Sequence, residues 1–499
     1  MNIIEINTMK TTLSIFFRYV IITMLISTCF ACENSAERPN VLFIAIDDLN
    51  DYVNCMHGSV SALTPNIDKL ARQGVLFSNA HCQAPICGPS RAGIMTGLYP
   101  STSGNYLQVN DEDIMKSNET VASAILMPDY FEQNGYKTMA VGKIYHQGDK
   151  AKSFDEYGGK FSFYGPFPEE RFNYDPSKIP GKTSGTMTDW AAFPEHDSML
   201  ADFQSAAWAA GKLKQHHEQP FFLAVGFVRP HVPWYVPQKW FDLYDMDTID
   251  LPPYLPEDMD DVPSIGKQVA EAPMMPTTEE LIESGEWSDV VHAYLACITF
   301  VDAQVGKLIE VLEESDYADN TIIVLWADHG YHLGEKNRFA KQALWERDTR
   351  TVMIFKEPGK LQSKECNASV QLIDIYPTLT ELCGLPDYEM ADGNSLVPYL
   401  ADVDLDIENP ALSFYGKGNI AVRTKDHRLI RYEDGSIEFY DMNNDPQEWN
   451  NLAGDTSYSR LIDSLSKYIP SDWAPLSSFS SYNFNSYFKA KSFSETSLE

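Results

Sequence analysis

Val41-Leu42-Phe43-Ile44-Ala45-Ile46 is an unbroken apolar run that stops abruptly at Asp47-Asp48. No polar position alternates within it, so it predicts a strand buried on both faces of a parallel sheet. Three further runs follow the same pattern. Residues 136–141 end in Gly142-Lys143, 221–228 in Arg229-Pro230-His231, and 321–327 in Asp328-His329-Gly330. Between them the period changes from strand to helix. Thr64-Pro65 opens a segment with Ile67, Leu70 and Ala71 on one face and Gly74 after its end, the signature of a capped helix. Val291, Tyr294, Leu295, Ile298, Val301, Val305, Leu308 and Leu312 recur at three and four and predict a long helix. Strands alternating with helices predict an α/β fold built on a large, mixed, mostly parallel sheet flanked by helices. In such sheets ligands bind beyond the carboxyl ends of the strands, where this chain places its polar residues.

The style changes after residue 400. The runs 420–423, 428–432 and 437–441 alternate apolar and polar, with Glu433-Asp434-Gly435 as a hairpin turn. They predict a smaller subdomain holding a short antiparallel sheet. The expected organisation is a catalytic domain over 38–400, this subdomain over 405–475, and a tail over 476–499 without a clear period. Residues 150–187 and 251–275, rich in Gly, Pro, Phe and Asp, read as long surface excursions that shape a cleft.

Residues 1–31 read as a secretory signal with basic Lys10 and Arg18 before an apolar run, too short for a membrane span. Met9 offers a second start. Cys29 and Cys32 are open to lipid acylation as in bacterial lipoproteins, although neither sits in a clean lipobox. The expected location is therefore outside the cytoplasm: periplasmic, secreted or anchored at the outer membrane, with any membrane contact made by the lipid alone. Length allows a sizeable core, 499 residues being more than one core usually needs. Lys+Arg number 38 against 71 Asp+Glu, a net charge of −33 that argues against nucleic acid as a partner. Cys55, Cys82, Cys87, Cys297, Cys366 and Cys383 show no metal-type spacing, and a Cys82–Cys87 disulfide is open in an exported chain.

Cys87-Gly88-Pro89-Ser90-Arg91 then changes the picture. It resembles the C-x-P-S-R signature of the type I, formylglycine-dependent sulfatases of the alkaline-phosphatase-like superfamily, and within them the iduronate-2-sulfatase-like branch. The resemblance runs from about Pro39 to Leu452 and includes Tyr440-Asp441 and Asp445-Pro446-Gln447-Glu448. It implies that a maturation enzyme oxidises Cys87 to formylglycine (3-oxoalanine), whose hydrate is the nucleophile. It implies further that Asp47, Asp48, Asp328, His329 and the matured Cys87 bind a divalent metal, Ca²⁺ with Mg²⁺ as the alternative, since carboxylate oxygens suit hard cations. His329 is the least typical of these ligands and has a second reading, a hydrogen bond to a sulfate oxygen.

By the same resemblance Arg91 steadies the hydrated aldehyde, Lys143 and Lys341 neutralise the sulfate oxygens, His231 protonates the departing sugar oxygen and His146 accepts a proton. The two histidine roles are exchangeable. These cations supply the local positive cluster that a chain of charge −33 otherwise lacks. The implied substrate is an O-sulfate ester of a sulfated carbohydrate, of iduronate-2-sulfate or ulvan type, with Tyr106, Arg229, Trp234 and Arg338 as candidate sugar contacts. A phosphate or phosphonate ester hydrolase of the same superfamily is the alternative enzyme, and a non-catalytic glycan-binding lipoprotein the alternative from another class.

Overall fold

The protein is described here as a computed structural model covering residues 38–146, 153–407, 409–481 and 485–495, with side chains through 490. The leader expected over 1–31 lies outside the described residues. Among those described, no helix is long and apolar enough to cross a membrane.

The run after Asn40 folds as strand β1 (Asn40–Ile46), every residue of which is buried. Odd and even positions serve different layers. Leu42, Ile44 and Ile46 join the core on one side of the sheet, while Val41, Phe43 and Ala45 join the core on the other. A strand that buries both faces must be apolar throughout, and each large side chain removed from water contributes roughly 1.5–3 kcal/mol before entropy is counted.

In chain order the elements that build the main sheet and its flanking helices include α1 (Pro65–Gln73), β2 (Val75–Phe77), α2 (Cys87–Thr96), β3 (Lys137–Gly142), β4 (Glu156–Tyr157) and α3 (Ala201–Leu213). There follow β5 (Phe221–Phe227), α4 (Trp287–Glu313), β6 (Thr321–Ala327), β7 (Met353–Lys356) and β8 (Lys364–Cys366). The sheet order is β8-β2-β7-β6-β1-β5-β3-β4. Only β7 runs against its neighbours; the remaining pairings are parallel. Helices α1, α3 and α4 cover the face toward Leu42 and Ile44, and α2 covers the other. The fold is thus the α/β sheet that the hydrophobic pattern predicts.

Register brings the strand ends level. Ile46 of β1 lies opposite Ala327 of β6 and Phe227 of β5, and Val141 of β3 lies opposite Val225. Backbone bonds continue one step past the sheet: Asp47 N–H donates to Phe227 O (3.2 Å), Asp328 N–H to Ile46 O (3.3 Å) and Lys143 N–H to Gly226 O (3.0 Å). Gly142 makes this last approach possible. Its φ is 75°, and a Cβ there would meet Gly226 O at 2.0 Å.

Strands β9 (Ala411–Phe414), β10 (Ile420–Arg423), β11 (His427–Arg431) and β12 (Ile437–Asp441) form an antiparallel meander in that order. The last three match the alternating runs of the sequence; β9 is an addition. Their core includes Ile86, Tyr106, Leu107 and Trp345 from the larger body. The tail has structure of its own: Ser480–Ser481 pairs antiparallel with Gln108–Val109, and Ser486–Glu495 is a helix.

Candidate active site

Asp47 and Asp48 follow β1, Lys143 follows β3, His231 lies beyond β5, Asp328 and His329 follow β6, and Cys87 begins α2. The fold brings these together with Lys341 at one end of the sheet. Cys87 is 1% exposed. Its sulfur lies 3.0 Å from Lys341 Nζ, 3.3 Å from His329 Nε2 and 3.9 Å from Asp48 Oδ1. Cys82 and Cys87 are both free, and the Cys82 thiol faces Asp348 O at 3.9 Å. The disulfide left open by the sequence is therefore absent.

Three buried carboxylates face three cations. Arg91 Nε donates to Asp328 Oδ2 (2.8 Å) while its Nη2 lies 3.6 Å from Asp47 Oδ1. Lys143 Nζ donates to Asp47 Oδ2, and Lys341 Nζ to Asp48 Oδ1 at 2.6 Å. Burial alone raises Asp47, yet the positive charges of Lys143, Arg91 and Lys341 hold it well below the usual carboxylate range. Asp48 moves up instead, through burial and the adjacent Asp47, with Lys341 opposing. Asp48 adopts a left-handed backbone (φ 58°), and its N–H donates to Asp328 Oδ1 at 3.1 Å. Tyr294 OH donates to Asp48 O at 2.6 Å. A non-glycine residue in that region is costly and persists where surrounding bonds determine it.

Whether the donor set fits a divalent cation follows from what is left unpaired. Asp47 Oδ1 and Asp48 Oδ2 are buried without a hydrogen bond among the described residues. His329 Nδ1 donates to Gly330 O at 2.9 Å, so its Nε2 lone pair faces the cluster. Ligand atoms of Asp47, Asp48, Cys87 and His329 all lie within 4.8 Å of one another. Two unsatisfied carboxylate oxygens and an oriented imidazole fit a divalent ion. Asp328 stands beside this group with its oxygens engaged by Asp48 N–H and Arg91.

The two remaining histidines flank the cluster. His231 Nδ1 donates to Val232 O (2.7 Å), leaving Nε2 4.0 Å from Asp48 Oδ2. His146 is fixed by its own N–H to Asp111 Oδ1 (2.9 Å) and by the Gln108 amide nitrogen against its ring. Burial, reinforced by Lys341 and Lys143, holds both rings well below the ordinary histidine range, so both are neutral.

A cavity of about 450 Å³ opens over these groups. The excursion 150–187 does reach it, through Tyr164 and Met187, and the stretch after 251 through Met274. Tyr164 went unnoticed in the sequence. Its hydroxyl accepts from Lys143 (3.2 Å) and its ring lies 4.9 Å from that of His231. Gln108 was missed too; its Oε1 accepts the Gly88 N–H at 3.0 Å, tying the start of α2 to the His146 loop. No motif marks either residue, since both lie in aperiodic segments.

The four candidate sugar contacts need correction, for none lines the cavity. Trp234 is fully buried against Tyr294 and Tyr331, and Tyr106 bonds Ala474 O from within the core. Arg229 spends its guanidinium on the carbonyls of Tyr235, His231 and Tyr164, shaping the His231 loop. Arg338 donates to Lys341 O at 2.7 Å.

A mixed sheet presenting paired aspartates, a histidine and a buried cysteine at its carboxyl end defines an ester hydrolase of the alkaline-phosphatase-like class. Within that class the chain belongs to the sulfatase family, whose profile matches residues 39–385, and it hydrolyses sulfuric esters. A second profile, N-sulphoglucosamine sulphohydrolase, C-terminal, matches 334–472. A sulfatase of Formosa agariphila is 45% identical over 461 residues, 91% of each chain. Human iduronate 2-sulfatase is 30% identical, covering 71% of this chain and 70% of its own, and a Formosa agariphila ulvan-active sulfatase is 25% identical, covering 87% of this chain and 80% of its own. The solved phosphonate monoester hydrolase of Silicibacter pomeroyi shares the fold with a TM-score of 0.67 at 22% identity, covering 86% of this chain and 94% of its own.

Proposed function

We propose that this sulfatase is an exported carbohydrate sulfatase that removes O-sulfate from a sulfated polysaccharide or its oligosaccharides, of iduronate-2-sulfate or ulvan type. The carrying observation is the convergence on Cys87 of Lys341, His329 and Asp48 within 3.0–3.9 Å, at the floor of a cavity. The names of the iduronate and ulvan relatives support the sugar class.

In this reading a maturation enzyme converts Cys87 to formylglycine, which supplies a hydrated aldehyde as nucleophile. Asp47, Asp48, Asp328, His329 and the matured residue 87 would hold a divalent ion, Ca²⁺ with Mg²⁺ as the alternative, which would supply positive charge at that nucleophile and the sulfate oxygens. Arg91 steadies residue 87 from below through Asp47 and Asp328. Lys143 and Lys341 donate to the sulfate oxygens, where charge builds as the ester bond breaks. His231 donates a proton to the leaving sugar oxygen. The ring is neutral before substrate arrives, and the bound anion, by offsetting Lys341 and Lys143, favours its protonated form. His146, held by Asp111 and Gln108, accepts the proton that must leave residue 87 when sulfate departs.

The shared fold of the phosphonate monoester hydrolase supports a second reading, a phosphonate or phosphate ester hydrolase. Protein whose maturation has been verified by mass spectrometry should be assayed on defined sulfated oligosaccharides, and on aryl sulfate and aryl phosphate with and without chelator. Chelator-sensitive release of sulfate from one class of sugar is the expected result. Faster turnover of the phosphate ester would establish the second reading instead.

A further inference from the structure

Neither family profile extends past residue 472, yet the chain beyond it returns to the active site. Trp473 stacks on Tyr106 (centroids 5.9 Å apart), and Ser477 N–H donates to Gly104 O at 3.0 Å. Ser480 and Ser481 pair with Val109 and Gln108, the latter being the residue that touches Gly88 and His146. Asn485 then secures the far side, its Nδ2 directed at the carbonyls of Gln268, Val269 and Glu271 (2.9–3.2 Å). Phe488 is 4% exposed and packs on Tyr415 at 5.0 Å. Anchored in this way, Phe479, Ser481, Asn485 and Phe488 form one wall of the catalytic cavity.

Within that wall Phe479 is the exception. Phe488 is buried, whereas Phe479 remains 41% exposed where it lines the open cavity. Lys116 Nζ lies over one side of this ring at 5.9 Å from its centroid, and the ring's remaining exposed apolar surface lies along the cavity. The C–H groups on one face of a pyranose ring are weakly positive and apolar, and they complement the negative face of an aromatic ring. The same cavity is lined by Cys87, Lys341 and His231, which take the sulfate end of the ligand.

We propose that the segment after the C-terminal sheet is a specificity element and that Phe479 stacks on the sugar ring bearing the scissile sulfate. This rests on the carbohydrate reading above and adds the residue that selects the sugar. Because Phe479 carries no charged, titratable or hydrogen-bonding side-chain group, it acts on binding rather than on the chemical step.

The test uses the full-length, matured protein and the sulfated oligosaccharide it desulfates fastest. Phe479→Ala and Phe479→Leu should each raise KM by about three- to tenfold with kcat held, and Phe479→Tyr should restore KM. Leucine separates stacking from mere apolar contact. The thermal midpoint of each variant checks folding, and the Leu and Tyr variants decide the matter should the Ala variant unfold. An unchanged KM in the Ala variant, or a Leu variant equal to wild type, overturns the proposal. A wild type that desulfates no sugar while hydrolysing aryl esters overturns the carbohydrate reading itself, and this inference with it.

Discussion

The Lys341 ammonium lies 3.0 Å from the Cys87 sulfur, although 254 residues of chain separate them. The same ammonium contacts Asp48 Oδ1 at 2.6 Å, so it links residue 87 to the carboxylate cluster. A cation held there acts on whatever negative charge develops at residue 87 or on its substrate. Lys341→Met should lower kcat/KM by about 10²–10³ with the thermal midpoint little changed. Lys341→Arg should recover only part of the loss, because a planar guanidinium cannot occupy a point-charge site. Steady-state kinetics beside a melting curve check this, and an unimpaired Met variant would remove Lys341 from the machinery.

Among the described residues, Asp47 Oδ1 and Asp48 Oδ2 are buried acceptors that receive no hydrogen bond. Filling them with a cation stabilises the folded state by mass action, about 2.7 kcal/mol when the free ion stands at a hundred times its Kd. Chelated protein should therefore melt lower, and back-titration with Ca²⁺ should raise the midpoint in a concentration-dependent way. Asp48→Asn should weaken that response by removing one charged ligand. Calorimetric titration of chelated wild type and variant reads the affinity directly; equal affinities would place the ion elsewhere.

The sequence revealed the parts of the fold in which one physical demand dominates. Strands β1, β5 and β6 are buried on both faces, so their apolar runs are uninterrupted and end where the chain meets polar ligands. Edge and short strands carry no such signal: β2, Val75–Phe77, and β8, Lys364–Cys366, are three residues each, too few to show a period. Helix α3 escaped because Ala206, Ala207, Ala209 and Ala210 blur its apolar face. At the site, residues at strand ends were legible through their position. Tyr164, Gln108 and Phe479 were not, since tertiary contacts alone bring those aperiodic segments to the cavity. The sugar contacts expected at Trp234 and Arg229 failed for a related reason: composition shows that a residue can bind sugar but not that it is already packed.

Asp202 on α3 accepts the Val228 N–H at 2.7 Å and the Arg229 N–H at 2.9 Å, fixing the exit of β5 toward His231. Burial raises its pKa to about 6, against the opposing pull of Arg229 and the two N–H groups. A folded pKa above the unfolded value of 3.8 means that the folded state binds this proton more tightly. The associated stability is present below pH 4 and is lost as pH rises through 6. Asp202→Asn cannot titrate, so the stability of wild type minus that of the variant should fall by up to about 3 kcal/mol between pH 4 and 7 and then level off. Urea midpoints across that range check it; a difference that does not vary with pH contradicts the shift.

Glu346 ties the C-terminal sheet to the larger body. Its carboxylate receives Arg423 Nε at 2.9 Å and also Arg428, both guanidinium groups being buried. Burial alone raises its pKa, but Arg423, Arg428 and His81 hold it well below the usual range. That stability is present above the unfolded value near 4.5 and is lost on acidification. Glu346→Ala leaves two buried cations short of a partner and should cost about 3–5 kcal/mol. Arg428 also lies 3.0 Å from Glu448 Oε1, so the loss should lie at the lower end of that range. A denaturation midpoint unchanged by the substitution would show that the cluster contributes nothing net.

Cys87 is buried, free of any disulfide, and surrounded by groups suited to an oxygen nucleophile. Burial, with Asp47 beside it, raises the thiol pKa despite Lys143 and Lys341, which is the reverse of what a reactive thiolate needs. In protein from a maturation-competent host, mass spectrometry of the peptide holding Cys87 should show the thiol replaced by an aldehyde. The substitution Cys87→Ser separates the two halves of the reaction. An alcohol at this position can take sulfate from the substrate but has no second hydroxyl whose ionisation expels it. The variant should therefore release one equivalent of desulfated sugar and stop, retaining a sulfate ester detectable as added mass on the same peptide. Multiple turnover by that variant would show that the chemistry at residue 87 needs no aldehyde.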